Sequence, residues 1–275
     1  MQPSAIAWTD YSGGIWNIVT GCTPADRSCA NCYARAIYRR FGREFGTVRM
    51  HPDKLERWST AKLPTHSPKR GAPHRPMVFV VDTGDLFHED VPDATIEVAF
   101  GVMLWRKDVI WQVLTKRPRR MAHFVTEWLR PIKGKRVPGN IWLGTSICDQ
   151  ETADERIVDL LDTPAAVRFV SVEPMLTPVD LTGSFGVIGR QGSPHIEAFD
   201  ATGLWMPKLS WVVCGGESGP HRRPFDVTWA LDLYEQCRMA QVPFFYKQGS
   251  ALHPGQNAVL PGHGVVQEWP EEGGR

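Results

Sequence analysis

The sequence has no run of apolar residues approaching the roughly 20 that a transmembrane helix requires. Its first ten residues lack the basic start and the apolar run of a secretory signal peptide. We therefore expect a cytoplasmic protein with no membrane contact. The chain has six cysteines in 275 residues. In an intracellular protein of this size, they indicate metal or redox chemistry rather than a disulfide framework.

The formal net charge of +1 conceals two strongly basic segments. Residues 27–75 contain twelve Lys/Arg and three Asp/Glu, and residues 106–136 contain ten Lys/Arg and two Asp/Glu. The rest of the chain is acidic. Two basic segments on an otherwise acidic protein predict a face that binds nucleic acid, a nucleotide or another large anion. The alternative is two solvated surfaces whose charge is balanced elsewhere in space.

Short apolar runs recur roughly every 30 residues, which is the length of one strand–helix unit. The intervening segments 93–107, 149–161 and 226–240 have helical spacing of apolar residues. An earlier run, residues 15–20, is predicted to be the first strand. The six later strands are predicted at residues 77–81, 110–114, 141–145, 167–172, 211–214 and 243–246.

These strands lack strict alternation of apolar and polar residues, which is typical of a parallel sheet covered on both faces. We predict an α/β fold, a full or partial (β/α) TIM-type barrel over residues 1–248. The C-terminal tail, residues 249–275, is predicted to pack near the barrel mouth. An open doubly wound sheet is the alternative. In a barrel, the residues that follow the strands share one mouth; here they are Cys22, Asp82, Thr115, Ser146, Glu173, Glu217 and Lys247.

Three of the cysteines, Cys22, Cys29 and Cys32, have C-x6-C-x2-C spacing on the loop after the predicted first strand. The last two are predicted to open a helix, whose positive end favours thiolates. Three thiolates would leave one iron of a [4Fe–4S] cluster open for S-adenosylmethionine, whereas a ferredoxin-type cluster takes four cysteines. The alternatives are a zinc site completed by His51 or His88, or buried structural thiols.

The segment from Trp16 through Tyr33, which contains these cysteines, resembles the bacteriophage-associated Gp37/Gp68-like family. That family is related to radical S-adenosylmethionine enzymes and is largely uncharacterised. Further matching segments are Asp82-Thr-Gly-Asp-Leu-Phe87, Leu114-Thr-Lys-Arg-Pro118, Ser171-Val-Glu-Pro174 and Gly215-Gly-Glu-Ser-Gly-Pro220. The resemblance covers nearly the whole chain. It implies a barrel of the radical-S-adenosylmethionine kind and the corresponding cofactors, without implying a substrate.

An acidic motif after the second strand, Asp82-Thr83-Gly84-Asp85, is predicted to bind S-adenosylmethionine through its ammonium group. A competing interpretation groups Asp82 and Asp85 with His88, Glu89 and Asp90 as hard-metal ligands of a barrel hydrolase. The other predicted contacts with S-adenosylmethionine are Thr115, Lys116, Ser146, Glu173, Gly215, Gly216 and Glu217. The substrate candidates are the cations Lys116, Arg117 and Lys247.

The leading functional hypothesis is radical catalysis. A reduced [4Fe–4S] cluster would cleave S-adenosylmethionine to methionine and a 5′-deoxyadenosyl radical, which abstracts hydrogen from a substrate. Nucleic acid or a nucleotide is the expected substrate class, and an electron donor such as flavodoxin or ferredoxin is an expected partner. The alternatives are a metal-stabilised nucleic-acid-binding protein without catalysis and a metal-dependent barrel hydrolase.

Overall fold

The computed structural model describes residues 3–131, 136–182 and 208–272. The strands are β1 (Val19–Thr20), β2 (Arg49–Met50), β3 (Met77–Val80), β4 (Ile110–Thr115), β5 (Val137–Ile147), β6 (Ala165–Val172), β7 (Trp211–Gly215) and β8 (Phe244–Gln248). The α-helices are α1 (Tyr33–Arg40), α2 (Asp53–Thr60), α3 (Asp93–Trp105), α4 (Pro118–Leu129), α5 (Gln150–Asp162) and α6 (Val227–Met239).

Strands β3 to β8 form one parallel sheet in chain order, curled into a half-barrel. Thr115 of β4 pairs with Thr145 of β5, and Ser146 of β5 pairs with Ser171 of β6. Neighbouring strands therefore end at similar heights, and the loops that follow them gather at one end of the sheet. We call this end the mouth. The prediction of a partial β/α barrel is confirmed at this level.

The six later strands and the three predicted helices are all present, with ends shifted by a few residues. Helix α5 begins after Asp149, whose side chain and that of Thr152 form a capping box. Helix α6 begins after Asp226, whose carboxylate accepts from Thr228 N. Both acidic residues stand where the sequence predicts the helices to begin, because an unpaired amide at a helix N-terminus needs a side-chain acceptor.

The prediction of a strand at residues 15–20 is wrong. A 3-10 turn spans Gly14–Trp16, and the short β1 pairs antiparallel with β2 outside the main sheet. Gly13 and Gly14 have φ values of 70° and 52°, a backbone region that interrupts an extended strand. The N-terminal segment instead follows the free edge of β3 through isolated parallel bridges such as Tyr11 with Val78.

The sheet has two different faces. Helices α3 to α6 pack on one face, around residues such as Trp111 and Phe100. The concave face is filled by a second buried cluster in which Trp8 lies between Phe79 and Trp211, with ring centroids 4.8 Å and 6.2 Å away. These rings fill the interior of the half-barrel as a packed core. A site that binds a ligand at the strand ends must therefore lie at the mouth.

The C-terminal tail, residues 249–275, begins at the mouth and then leaves it. Residues 249–251 pass beside Gly216, whose N donates to Gln248 O at 2.9 Å. Further on, Tyr246 N donates to Val266 O, Trp269 stacks on Trp211 at 5.3 Å, and Glu272 pairs with Arg75 before β3. The tail thus covers the edge of β8. Residues 273–275 lie outside the described part of the chain.

No helix in the described ranges is long and apolar enough to cross a membrane.

Candidate functional site

The polar residues predicted to follow the strands lie together at the mouth. Thr115 Oγ1 donates to Asp85 Oδ1 at 2.7 Å, which joins the ends of β3 and β4. Ser146 Oγ donates to the Glu173 carbonyl at 3.4 Å. Lys247 Nζ, in β8, lies 2.7 Å from Glu173 Oε1. Asp85 and Thr115 thus form one group of contacting residues at the strand ends, and Ser146, Glu173 and Lys247 form a second.

The cysteine loop, which we define as residues 22–32, lies across these strand ends and is tied to them by ion pairs. Asp26 lies 3.2 Å from Lys116 Nζ, after β4, and 2.7 Å from Arg156 Nη1, in α5. Arg27 pairs with Asp149 at the start of α5, at 2.5 Å. The anchors come from separate βα units, so the loop can take this position only when the half-barrel is assembled.

A further anchor joins the loop to the end of β7. Asn31 Nδ2 donates to Glu217 Oε2 at 3.1 Å and to the His221 carbonyl at 2.8 Å. The Glu217 carboxylate also pairs with Arg223, whose Nη1 donates to the Arg27 carbonyl at 3.0 Å. Burial by itself raises the pKa of Glu217. The hydrogen bonds from Arg223 and Asn31 outweigh burial, so the pKa of Glu217 lies below its usual value.

Asp26 is the central acid of this network. Burial by itself raises the pKa of its carboxyl, but Lys116, Ser28 and Arg156 outweigh burial and hold the pKa well below its usual range. Asp26 also receives Ser28 N at 2.7 Å and so caps the 3-10 turn Arg27–Asn31, which contains Cys29. The same carboxylate therefore anchors the loop and shapes the turn that carries one of its cysteines.

The three thiols Cys22, Cys29 and Cys32 are free and half-buried. Cys29 Sγ accepts from Ala25 N at 3.5 Å, and Cys22 Sγ accepts from Arg117 Nη1 at 3.6 Å. Burial and the nearby Asp85 raise the pKa of Cys22 to about 11, against the opposing effect of Arg117. Within the described ranges, no three His, Cys, Asp or Glu side chains are positioned together to hold a metal ion.

The chemistry of the donors nevertheless fits an iron–sulfur cluster. Three cysteines share one loop, and N–H groups point at two of the sulfurs, an arrangement that tunes such clusters. The other three cysteines, Cys148, Cys214 and Cys237, are fully buried on separate elements.

This chain belongs to a family described as "Protein of unknown function (DUF5131)". The model of that family matches residues 3–264. No curated protein and no solved structure matches the chain. Membership in an uncharacterised family agrees with the expectation from the sequence, while the link to the Gp37/Gp68-like family and to radical chemistry stays a prediction.

In this DUF5131 protein, the two cations after β4 are engaged by acids. Lys116 pairs with Asp26, and Arg117 pairs with Asp85 at 3.1 Å and with Glu89 at 2.8 Å. Both cations therefore help to position the cysteine loop. Their predicted contact with a substrate phosphate stays a prediction. Lys133 and Lys135, in the second basic segment, lie outside the described residues.

The two acids of the Asp82-Thr83-Gly84-Asp85 motif have different surroundings. Asp85 is buried and accepts hydrogen bonds from Thr115, Arg117 and the backbone of Lys116 and Phe87. Asp82 is half-buried, and its Oδ1 accepts from Asn17 Nδ2 at 2.6 Å. Asn17 Nδ2 also donates to Thr83 Oγ1 at 2.8 Å.

The Asp82 carboxyl remains the more available of the two, and burial raises its pKa. Gly84 is needed for packing, since a Cβ there would lie 3.0 Å from the Val19 carbonyl.

Glu173 is half-buried, and each of its carboxylate oxygens has a partner. Its Oε2 accepts from Trp8 Nε1 and from Ser171 Oγ, both at 3.1 Å. Its Oε1 forms an ion pair with Lys247, whose Nζ lies 2.7 Å away. A Cβ on Gly215 would lie 3.0 Å from this oxygen. The glycine thus leaves the space beside a carboxylate oxygen that can accept one further donor.

Gly216 and Glu217, which follow Gly215 in the glycine turn, have a structural explanation. A Cβ on Gly216 would lie 2.6 Å from Ser250 N, so the close passage of the tail requires glycine there. Glu217 is paired with Arg223 and Asn31. Neither residue has to contact a ligand to account for its presence.

The geometry gives little support to the competing metal sites, which would use His51 or His88. His88 is buried; its Nε2 lies 2.8 Å from Thr23 Oγ1, and its Nδ1 accepts from Asp90 N at 3.1 Å. His51 Nε2 lies 2.8 Å from Thr20 Oγ1. Each histidine has an internal partner, and among the described residues neither joins the cysteines in a group that could hold a metal.

Several residues that shape this DUF5131 site are missed by reasoning from the sequence. They are Trp8, Asp26, Arg156 and Arg223. Asp26 could have been found, because it is the one acid within the cysteine loop. Arg156 carries no such signal, since its partner Asp26 lies far away in the sequence, and the same holds for the contact of Arg223 with the Arg27 carbonyl.

Proposed function

We propose that the protein is a radical S-adenosylmethionine enzyme, with a [4Fe–4S] cluster on Cys22, Cys29 and Cys32. The observation that carries the proposal is the position of the cysteine loop. The Asp26 ion pairs with Lys116 and Arg156 hold the loop at the mouth, the end of the sheet where Glu173 and Lys247 also lie. A cluster held by three thiolates leaves one iron without a protein ligand.

The bound cluster and S-adenosylmethionine would together supply one-electron cleavage to methionine and a 5′-deoxyadenosyl radical. The chain's own residues bind and orient. Glu173 Oε1 can accept a hydrogen bond from the ammonium group, and Asp82 supplies a second half-buried carboxylate. Lys247 pairs with Glu173, and its ammonium group suits a carboxylate or phosphate oxygen of the ligand.

The aromatic cluster below the mouth supports the same proposal. Trp8 packs beneath Glu173 and donates to its Oε2, and Trp211 and Phe169 close the concave face further down. Among the described residues, this cluster fills the concave face and separates the strand ends from water on that side. Exclusion of water protects a reactive radical from side reactions.

The substrate class that we propose is nucleic acid or a nucleotide, from the two basic segments of the sequence. We also propose a cytoplasmic, phage-associated enzyme on the basis of the family resemblance. These parts rest on sequence alone.

The decisive experiment is anaerobic reconstitution with iron and sulfide, followed by analysis of iron content and 5′-deoxyadenosine. Wild-type protein should bind close to four irons, because a [4Fe–4S] cluster holds about four. Replacing Cys22, Cys29 or Cys32 with Ala should abolish iron incorporation. The matched control, Cys237→Ala, removes a fully buried thiol and should retain iron.

Two results would count against the proposal. Full iron content in the Cys29→Ala protein would remove the ligand assignment. Stoichiometric zinc in place of iron, with no 5′-deoxyadenosine, would favour the hydrolase or the non-catalytic binding protein.

A further inference from the structure

Helix α3 is apolar on its outer side as well as on the side that packs on the sheet. Only Asp93 and Glu97 of its 13 residues are charged. Its inner side buries Ile96, Ala99, Phe100 and Met103. A helix that is apolar all round is normally buried all round. Helix α3 packs on the outside of the half-barrel, so its outer side is left exposed.

The exposed side of α3 carries four residues that we call the α3 stripe: Ala94, Val98, Gly101 and Trp105. Their spacing of four, three and four residues keeps them on one side of an α-helix. Val98 and Trp105 are 54% and 69% exposed, and a Cβ on Gly101 would have no atom within 4 Å. A single exposed apolar side chain needs no explanation, but an uncharged stripe along a whole helix indicates a contact surface.

Neither nucleic acid nor a membrane suits the α3 stripe. Phosphate groups are bound by Lys and Arg, and none of the four residues is a cation. The acids near its start, Asp93 and Glu97, would repel phosphates and anionic lipids alike. By comparison, the outer side of α5 exposes Glu151, Asp154 and Glu155, which is typical of a helix that faces only solvent.

The α3 stripe is complementary in shape to a second copy of itself. Its two large side chains and its two small residues exchange places when the direction of the helix is reversed. If two copies of α3 pack antiparallel, a two-fold axis at the middle of the stripe places Trp105 of each copy against Ala94 of the other. The same axis places Val98 of each copy against Gly101 of the other. Each large side chain then meets a small residue, and both contacts occur twice, as in an isologous interface.

The charges at the two ends of α3 favour the same antiparallel arrangement. Asp93 and Glu97 are exposed near the start of the helix. Lys107 is exposed just after its end, where Asp108 is already paired with Arg106 at 2.8 Å. An antiparallel pair brings the acidic start of one helix alongside the basic end of the other, whereas a parallel pair would bring like charges together.

We propose that the α3 stripe is the interface of a two-fold homodimer with antiparallel α3 helices. Helix α3 begins at the mouth, so in this dimer the two mouths point in opposite directions and both stay open. Contact along one helix covers a small area, and the association should therefore be weak. The dimer requires neither a cluster nor S-adenosylmethionine, so it stands or falls separately from the proposed function.

The first test is sedimentation of the full chain from about 1 to about 100 μM, a range that reports micromolar Kd values. The wild type should show a monomer–dimer equilibrium. The double variant Val98→Glu/Trp105→Glu should raise Kd about tenfold or more, because an unpaired charge in an interface is strongly unfavourable. It should still fold, since both side chains are exposed. The matched control is Met239→Glu, 77% exposed at the end of α6, which should keep the wild-type Kd.

Two outcomes of this test would overturn the proposal. One is a wild type that stays monomeric at the highest concentration, which would leave the α3 stripe to a different protein. The other is a dimer whose Kd is the same in Val98→Glu/Trp105→Glu as in the wild type, which would place the interface elsewhere. Circular dichroism of each variant shows whether the fold is retained.

The second test is a charge exchange that checks the antiparallel arrangement. Glu97→Lys and Lys107→Glu should each weaken the dimer, because each brings like charges together across the interface. The double variant Glu97→Lys/Lys107→Glu should restore the wild-type Kd, because the opposite charges are then paired in reverse. Loss of one charge pair through misfolding would not be rescued in this way. A double variant that dimerises no better than the single variants would refute the antiparallel dimer.

Discussion

Asp26 of the cysteine loop and Arg156 of α5 form a buried ion pair, with 2.7 Å between Oδ2 and Nη1 and side chains that are 6% and 4% exposed. Arg156 Nη1 also donates to the Ser146 carbonyl at the end of β5, at 2.7 Å. One guanidinium thus links the loop to the mouth of the half-barrel. Because both charges are removed from water, each depends on the other for its stability.

Asp26→Asn should therefore lower the free energy of unfolding by about 3 kcal/mol, the range for breaking one side of a buried ion pair. The neutral amide leaves Lys116 and Arg156 without their anion. Urea unfolding measures the loss. Asp232→Asn, at an exposed position of α6, is the control and should change stability by less than about 0.5 kcal/mol. A loss below 1 kcal/mol for Asp26→Asn would show that the pair does not anchor the loop.

The same carboxylate predicts a pH dependence. The pKa of Asp26 is lowered in the folded protein, so its contribution to stability is fully present above its unfolded pKa, about 3.9. That contribution is lost as the pH falls through the lower folded pKa. The difference in unfolding free energy between wild type and Asp26→Asn should be constant from pH 7 to about 5 and should shrink below about 4. A difference that persists unchanged in acid would contradict this assignment.

Replacing glycine with alanine should have opposite effects on stability at two positions of the chain. Gly216→Ala places a Cβ 2.6 Å from Ser250 N, so backbone must move and stability should fall by about 1–3 kcal/mol. Gly101→Ala lies in α3 with no atom within 4 Å of the new Cβ, and should raise stability by about 0.5–1 kcal/mol through helix propensity. Thermal unfolding of the two proteins checks the signs. A stable Gly216→Ala protein would mean that the tail does not pass where the structure places it.

Two glutamates at strand ends differ in their capacity for a ligand. Glu173 Oε1 pairs with Lys247 and lies beside the space that Gly215 leaves, whereas Glu217 is paired with Arg223 and Asn31. Glu173→Gln should weaken S-adenosylmethionine binding about tenfold or more, because a charge-assisted hydrogen bond contributes about 1.5–3 kcal/mol. Glu217→Gln should leave the affinity unchanged once it is normalised to iron content. Equilibrium dialysis of the reconstituted proteins measures both. Equal affinities would remove Glu173 from the binding site.

Many of the strands and helices of the fold can be predicted from the sequence. Apolar β-rich runs such as Trp211–Gly215 are buried on both faces of a parallel sheet, and the helices between them begin after capping acids such as Asp149 and Asp226. The segment at residues 15–20 misleads, because it begins in a 3-10 turn and only its last two residues form a strand, outside the main sheet. The chain turns at Gly13 and Gly14, and the spacing of apolar residues in the sequence does not indicate this turn.

The sequence by itself determined that six buried strands run in series and that three cysteines share one loop at their carboxyl ends, since local apolar runs and spacing suffice for both. Tertiary structure alone decided how the polar residues of the mouth divide their roles. Lys116 and Glu217 bond to residues of the cysteine loop, Asp85 accepts from Thr115 and Arg117, and Glu173 pairs with Lys247. The physical reason is that a charged side chain pairs with the nearest group of opposite charge, and the pairing leaves it less able to bind a ligand. The pairs Asp26–Lys116, Asp85–Arg117 and Glu173–Lys247 join segments distant in the sequence, which only the assembled half-barrel brings together.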